Sequence, residues 1–313
     1  MNPLLRVASF NVNGIRARLP LLVSWLQGEA PEVVCLQETK VQDAEFPREA
    51  LESLGYGCAY RGEKGFNGVA VLSREPMDIL RVGLDDGEPP DEARLMLISV
   101  AGIPLLNTYL PQGTAPESER FQYKLRWFRR LRGFLERNLK PEESLVWVGD
   151  FNVAPEARDV YDPEGLRGSI GFHPEEHRAL EEVRRWGFVD VFRLHVAEEG
   201  QYTFWDYRVR NGLARGMGWR VDHIWATQPM AQRSQRAWID LGPRRSQRPS
   251  DHTPILAEFE LDWTGEARNN EIPLHHSRPR RAATATQNQP MMKAVPPTGV
   301  IAPSHRMPLK VST

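Results

Sequence analysis

Cysteine is nearly absent from this chain of 313 residues, which holds only Cys35 and Cys58. Two thiols, one inside an apolar run and one close to Tyr60, build no disulfide framework and fit buried, reduced groups in a cytoplasmic protein. Long hydrophobic runs are missing too. The longest apolar stretch, Leu95 to Leu106, contains Ser99, Gly102 and Pro104 and is too short to span a bilayer. Arg6 and Asn11 interrupt the N-terminus before it reaches signal-peptide length. No zinc-ligand spacing, P-loop or dinucleotide glycine fingerprint occurs. Neither sign of charge dominates, with 40 Lys and Arg against 41 Asp and Glu and a net charge of −1. The balance is uneven, however. Residues 263–313 hold seven Lys or Arg against two Glu, and that surplus of 5 leaves residues 1–262 at −6. A mildly acidic body cannot coat a polyanion non-specifically, so any such partner meets a local basic surface.

What is present suits one large α/β domain: 41% hydrophobic residues, nine Trp and twelve Phe supply a sizeable core. Helical patterns are expected from Pro20, with Leu21, Leu22, Trp25 and Leu26 apolar, and from about Asp43 to Gly55. Two more cover about 118–139 and 174–186. Strands are expected at the runs 7–10 and 33–36 and near 68–73, 95–100, 104–110, 145–149, 188–192, 220–227 and 253–261. The pair at 95–100 and 104–110 is joined by a turn, so antiparallel pairing is mixed in. That favours two mixed β-sheets packed face to face with helices outside over a purely parallel doubly wound sheet. A catalytic domain is placed at 1–263. Residues 264–313, rich in Pro, Thr, Ala and Gln, lack sustained periodicity and read as a disordered basic tail.

Five short polar signatures sit at the ends of the apolar runs. Asn11 closes Val7–Phe10, Glu38 closes Val33–Leu36 and Asp150 closes Leu145–Val148, whereas Asp222 and Asp251 open Ile224–Ala226 and Ile255–Phe259. If the last two strands run antiparallel to the first three, all five ends meet at one sheet edge, where chemistry sits in α/β folds. Each alone reads as an exposed charge or an Asx turn; five together point to metal-assisted phosphodiester chemistry. Glu38, Asn11 and Asp251 supply the oxygens a hard cation such as Mg²⁺ prefers. Gly149 before Asp150 lets the backbone turn, so that this carboxylate and Asn152 face one point, the first orienting water and the second a phosphate. His252 has a candidate orienting carboxylate in Asp222, an arrangement that favours the imidazolium. His173, His177, His195 and His223 are assigned to structure. Arg120, Lys124, Arg126, Arg129, Arg130 and Arg132 on the long helix read as a solvated face, with phosphate tracking as the alternative. Phe204, Trp205, Tyr207 and Trp219 interleave with Arg208, Arg210, Arg215 and Arg220, a pattern suited to nucleic acid.

Taken together, SFNVNGIRAR, LQETK, GFNGVAVLSR, NTYLPQG, VWVGDFNVAP, YTFWDYR, GWRVDHIWA and PSDHTPI resemble the exonuclease III family of abasic-site endonucleases over roughly residues 4–262. The resemblance implies a four-layer α/β sandwich of the endonuclease–exonuclease–phosphatase superfamily. It implies a cytoplasmic monomer that cuts double-stranded DNA 5′ to abasic sites with Mg²⁺ or, alternatively, Mn²⁺. It also implies action on blocked 3′ ends as phosphodiesterase, 3′-phosphatase and 3′–5′ exonuclease. By the same resemblance, Glu38 is the main metal ligand, with Asn11 and Asp251 around it. Asp150 activates water, Tyr109 and Asn152 hold phosphate, and His252 with Asp222 contacts the phosphate. Phe204, Trp219 and Val221 form the apolar pocket for the flipped sugar, with Gln112 and Arg208 as further substrate contacts. The chain departs from relatives at Asn13, where some have Asp, at Thr114 and Ala115, where some have a wedging Arg, and at Arg208, where some have Met. Two alternatives stand beside this: a catalytically weak nucleic-acid-binding regulator of the same fold, and a phosphatase of a small phosphoester.

Overall fold

Strands and helices alternate along residues 3–261, the part of the chain that this computed structural model describes. The segment read as a tail, 264–313, lies outside the described residues. The strands are β1 (Leu4–Asn11), β2 (Val33–Gln37), β3 (Gly57–Arg61), β4 (Val69–Ser73), β5 (Met77–Val82) and β6 (Leu95–Val100). They continue with β7 (Ile103–Tyr109), β8 (Val146–Asp150), β9 (Phe188–Asp190), β10 (Asp222–Thr227), β11 (Ser234–Ile239) and β12 (Ile255–Glu260). Two six-stranded mixed sheets result, ordered β11-β12-β1-β2-β4-β3 and β5-β6-β7-β8-β10-β9. Within them β1 and β2 run parallel, as do β7 and β8, while β12 is antiparallel to β1 and β10 to β8. The orientation expected for the five polar ends therefore holds, split over two sheets.

Successive strand residues face opposite ways, and the apolar clusters follow that alternation. Val7, Val33, Cys35 and Ala257 of the first sheet pack with Ile98, Leu105, Val146 and Ile224 of the second in an inter-sheet core. Their neighbours Ala8, Phe10, Val34, Leu36 and Leu256 face outward onto Leu22, Trp25 and Leu26 of α1 (Ile15–Glu29). Beyond α2 (Arg48–Glu52), the long α3 (Glu119–Asn138) covers the other outer face. There Trp127, Phe128, Leu131 and Leu135 meet Trp147 and Trp225, joined by Leu180 of α4 (Pro174–Arg184). Helix, sheet, sheet, helix is the four-layer sandwich that the resemblance implied. Beneath the site end, a buried polar pin joins the sheets. Gln37 Nε2 donates to Asn107 Oδ1 at 2.8 Å, and Asn107 Nδ2 donates to the carbonyls of Leu36 and Ala70 at 3.1 and 2.9 Å. Every group in it is bonded, so it resists sliding of one sheet on the other.

Several local expectations are corrected. Pro20 lies inside α1 rather than at its start. The helix begins at Ile15, whose N–H bonds to the Thr39 carbonyl, so Pro20 removes a single internal donor. The helix expected from Asp43 is split into a 3₁₀ turn at Asp43–Glu45 and α2. Phe46 between them is extended at φ −67° and ψ 130°, as the residue before Pro47 must be. Strand β9 stops at Asp190, whose side chain caps a short helix at Val191–His195. Cys58 is only partly buried.

Candidate active site

Five strand ends deliver the polar signatures to one place. Asn11 ends β1, and its amide nitrogen donates to Glu38 Oε1 and to Asp150 Oδ2, both at 2.8 Å, while Asn13 N–H donates to its Oδ1 at 2.9 Å. One amide thus ties a carboxylate after β2 to a carboxylate ending β8, across the two sheets. The other Glu38 oxygen takes Lys40 Nζ at 2.6 Å. Lys40 also donates to Asn13, whose amide donates to Asp251 Oδ1 at 2.9 Å. Asn13 therefore stands as a relay between Lys40 and Asp251. Burial opposes ionisation of Glu38, but Lys40 and the Asn11 bond outweigh it and hold the carboxyl below its ordinary value.

Asp150 is buried, accepting Asn152 N–H at 2.8 Å on Oδ1. Burial first, then the charges of Asp222 and Glu38, push its carboxyl up to about 7, against the pull of His252 and the Asn11 bond. His252 Nδ1 donates to Asp222 Oδ2 at 2.7 Å, leaving Nε2 at 3.8 Å from Asp150 Oδ2. Burial disfavours the imidazolium, yet Asp222 and Asp150 raise it to about 10, so the ring is charged at neutral pH. Tyr109 ends β7 directly opposite Asp150, with the Arg94 guanidinium 4.7 Å from its ring centroid. Burial, with Glu38 and Asp150 nearby, lifts its phenol well above the ordinary value, so it remains a neutral donor. The Asn152 amide donates to the Leu110 carbonyl at 2.8 Å and more loosely to Asp150 at 3.3 Å.

The ligand atoms of Glu38, Asp150 and His252 lie within 4.8 Å of one another, a group able to hold a metal ion. Of these, the charged imidazole has no lone pair to offer. The two carboxylates are the hard oxygen donors that a small divalent cation takes, with water and phosphate completing its shell.

An apolar wall stands beside the charged groups. Phe204 and Trp219 exchange backbone hydrogen bonds at 2.9 Å, and the Phe204 ring lies 4.9 Å from the His252 ring. Trp219 packs on Ala154, Val160 and Phe172, and buried Val221 accepts the Phe151 N–H at 2.8 Å. Arg208 and Gln112, expected as substrate contacts, are both exposed, and Arg208 is paired with Asp206. Among the other histidines, His223 is structural as expected. It is buried, donates from Nε2 to the Val153 carbonyl, and is held neutral, down to about 4, by burial and by Arg220. Of the α3 cations, Arg120, Arg126 and Arg129 are exposed, as a solvated face requires. Lys124 is instead buried, Arg130 forks onto Asp86 and Arg132 pairs with Glu136. Sequence reasoning gave no role to Lys40 or Arg94, although Lys40 lies in the quoted LQETK; nothing local marks Arg94.

The model of the Endonuclease/Exonuclease/phosphatase family matches residues 8–252. Exodeoxyribonuclease III of Haemophilus influenzae is 32% identical over 268 residues, covering 82% of this chain and 100% of that one. The structure of an AP endonuclease from Archaeoglobus fulgidus matches with a TM-score of 0.79 and 43% identity, over 82% of this chain and 100% of that one. That of the 3′ phosphatase NExo from Neisseria, bound to a product DNA hairpin, matches with a TM-score of 0.79 and 34% identity over the same shares. The chain therefore belongs to the endonuclease/exonuclease/phosphatase family, among its exonuclease III-type nucleases.

Proposed function

We propose that this nuclease hydrolyses the phosphodiester 5′ to an abasic site in double-stranded DNA, and clears blocked 3′ ends at the same site, using Mg²⁺. The observation that carries the reading is the meeting of two carboxylates, a charged imidazole and an apolar wall at one strand edge. Asp150 accepts a proton from the attacking water, a task suited to a carboxylate whose affinity lies near neutrality. The oxygen then bonds to phosphorus as the bond to the 3′ oxygen breaks. His252, charged and fixed by Asp222, donates from Nε2 to a non-bridging phosphate oxygen, and Tyr109 donates its phenol hydrogen to another. Asn152 exchanges its 3.3 Å bond to Asp150 for a phosphate oxygen. Glu38 would hold Mg²⁺, with Asn11 and Asp251 in the network around it, and the cation would supply charge neutralisation at the phosphate. Phe204, Trp219 and Val221 accept a bare sugar and exclude one that carries a base; Arg208 and Gln112 contact the flanking strand.

The test is a duplex oligonucleotide with one abasic analogue, incubated with and without EDTA. Cutting 5′ to the analogue that EDTA abolishes is expected. An intact duplex at saturating protein and Mg²⁺ would leave the regulator reading standing, and cutting unaffected by EDTA would remove the metal.

A further inference from the structure

Lys124 lies on the core stripe of α3 and has no exposed surface, an unusual place for an ammonium. Its three hydrogens find three acceptors: Glu176 Oε1 at 2.5 Å, the Asn152 carbonyl at 2.7 Å and the Gln112 carbonyl at 3.3 Å. Glu176 is equally buried, and its second oxygen accepts the backbone N–H groups of Gly171 at 2.7 Å and His173 at 3.1 Å. Burial pulls the Lys124 ammonium down, and Glu176 opposes that pull. The pair thus joins three segments: the chain after β7, the turn after β8 and the entry to α4.

Two of those segments shape the site. Asn152 sits in left-handed backbone at φ 52°, a conformation that persists where surrounding bonds over-determine it. Gly171 lies so close that a Cβ there would fall 3.3 Å from the Asn152 carbonyl oxygen and 3.4 Å from the Trp219 ring. Its own carbonyl accepts Ala154 N–H at 2.8 Å. The Asn152 turn and the Trp219 wall therefore rest on a loop whose backbone is tied to Glu176.

We propose that the buried Lys124–Glu176 ion pair is a positioning device for the site: it sets the direction of the Asn152 amide and the seat of Trp219 without touching substrate. This rests on the phosphate-holding role given to Asn152 above. A pair kept for stability alone needs no charge, since replacing both partners of a buried ion pair with neutral groups is often neutral or stabilising, whereas removing one is costly.

The test uses the full chain carrying Lys124→Met with Glu176→Gln, which removes both charges, beside Lys124→Arg, which keeps the donor. Three readouts are taken: melting temperature, kcat and KM on the abasic duplex, and hydrogen exchange by segment. The paired variant should melt close to the wild type while kcat falls roughly 10–100-fold, the range that a misplacement of about 1 Å produces, with KM changed less than about threefold. Exchange should quicken at residues 151–154 and 170–173 and stay constant in the strands, and Lys124→Arg should recover most of kcat. Unchanged exchange at those segments in the folded paired variant overturns the proposal whatever the enzyme cuts. So does a parallel loss of kcat and melting temperature that Lys124→Arg fails to restore. A wild type that cuts no abasic duplex fails the reading of function instead, and the exchange data still decide the role of the ion pair.

Discussion

Glu38 holds its carboxylate out from left-handed backbone at φ 52°, a conformation it shares with Asn13 at 44° and Asn152 at 52°. Asn tolerates that region, but Glu does so at a cost of about 1–2 kcal/mol. The bond from Gly14 N–H to the Glu38 carbonyl at 2.7 Å helps to offset it. Such strain concentrates where a side chain must be aimed. Two neighbouring groups carry opposed electrostatic demands. Asp150 is raised from 3.8 to about 7 by burial and nearby carboxylates, and His252 from 6.5 to about 10 by Asp222 and Asp150 against burial. A raised affinity stabilises the fold fully below the unfolded value and is lost as pH climbs through the folded one. Asp150 therefore stops contributing between about pH 4 and 7, and His252 between about 6.5 and 10. The melting temperature of the metal-free protein should fall as pH rises from 5 to 8, and fall less in Asp150→Asn, as thermal melts in EDTA would show. Equal falls in the two proteins would mean that Asp150 ionises without penalty. Asp150 and Asp222 were legible as residues because each sits at the end of an apolar run, and His252 because it follows Asp251 directly. Lys124 reads as part of a solvated face with its neighbouring cations, although its spacing from Phe121, Phe128 and Leu131 follows the core stripe.

At the scale of elements, the strands legible in the sequence are mostly the central ones. The three that were not, β3, β5 and β11, lie at sheet edges. Each consists of exposed or half-buried positions with at most one buried, so alternation is too weak to read. The inter-sheet pin of Gln37 and Asn107 was equally invisible, because a polar residue in an apolar run says nothing of its partner. Segment 202–221 carries no long strand. It is nevertheless held by the Phe204–Trp219 bridge and by the Thr203 hydroxyl, which accepts the N–H groups of Val221 and Asp222 at 3.1 Å. Abasic selectivity is proposed to belong to this element. Trp219→Ala should open the wall and narrow the single-turnover rate ratio between abasic and intact-nucleotide duplexes by about tenfold, the scale of lost apolar shape selection in a pocket. Slowing of both substrates by the same factor would make Trp219 a support for the loop.

For the whole molecule, four layers place two sheet edges side by side, so Glu38 and Asn11 from one sheet meet Asp150 and Asp222 from the other. The motif order, the mixed pairing and the helices outside were all legible, because each central strand carries a continuous apolar run and each long helix its own 3.6-residue stripe. The partition of the five ends between two sheets was not, since register and sheet membership depend on contacts distant in sequence. Among the described residues no helix is long and apolar enough to cross a membrane. If this edge performs base-assisted hydrolysis at an abasic phosphodiester, Asp150→Asn must stop it. The variant keeps the shape and removes the base. Binding of the abasic duplex and single-turnover cleavage, measured on the same preparation with Mg²⁺, should show near-wild-type affinity and a rate lower by roughly 10²–10⁴-fold. Cleavage at a near-normal rate would contradict the assignment of Asp150 and the mechanism built on it.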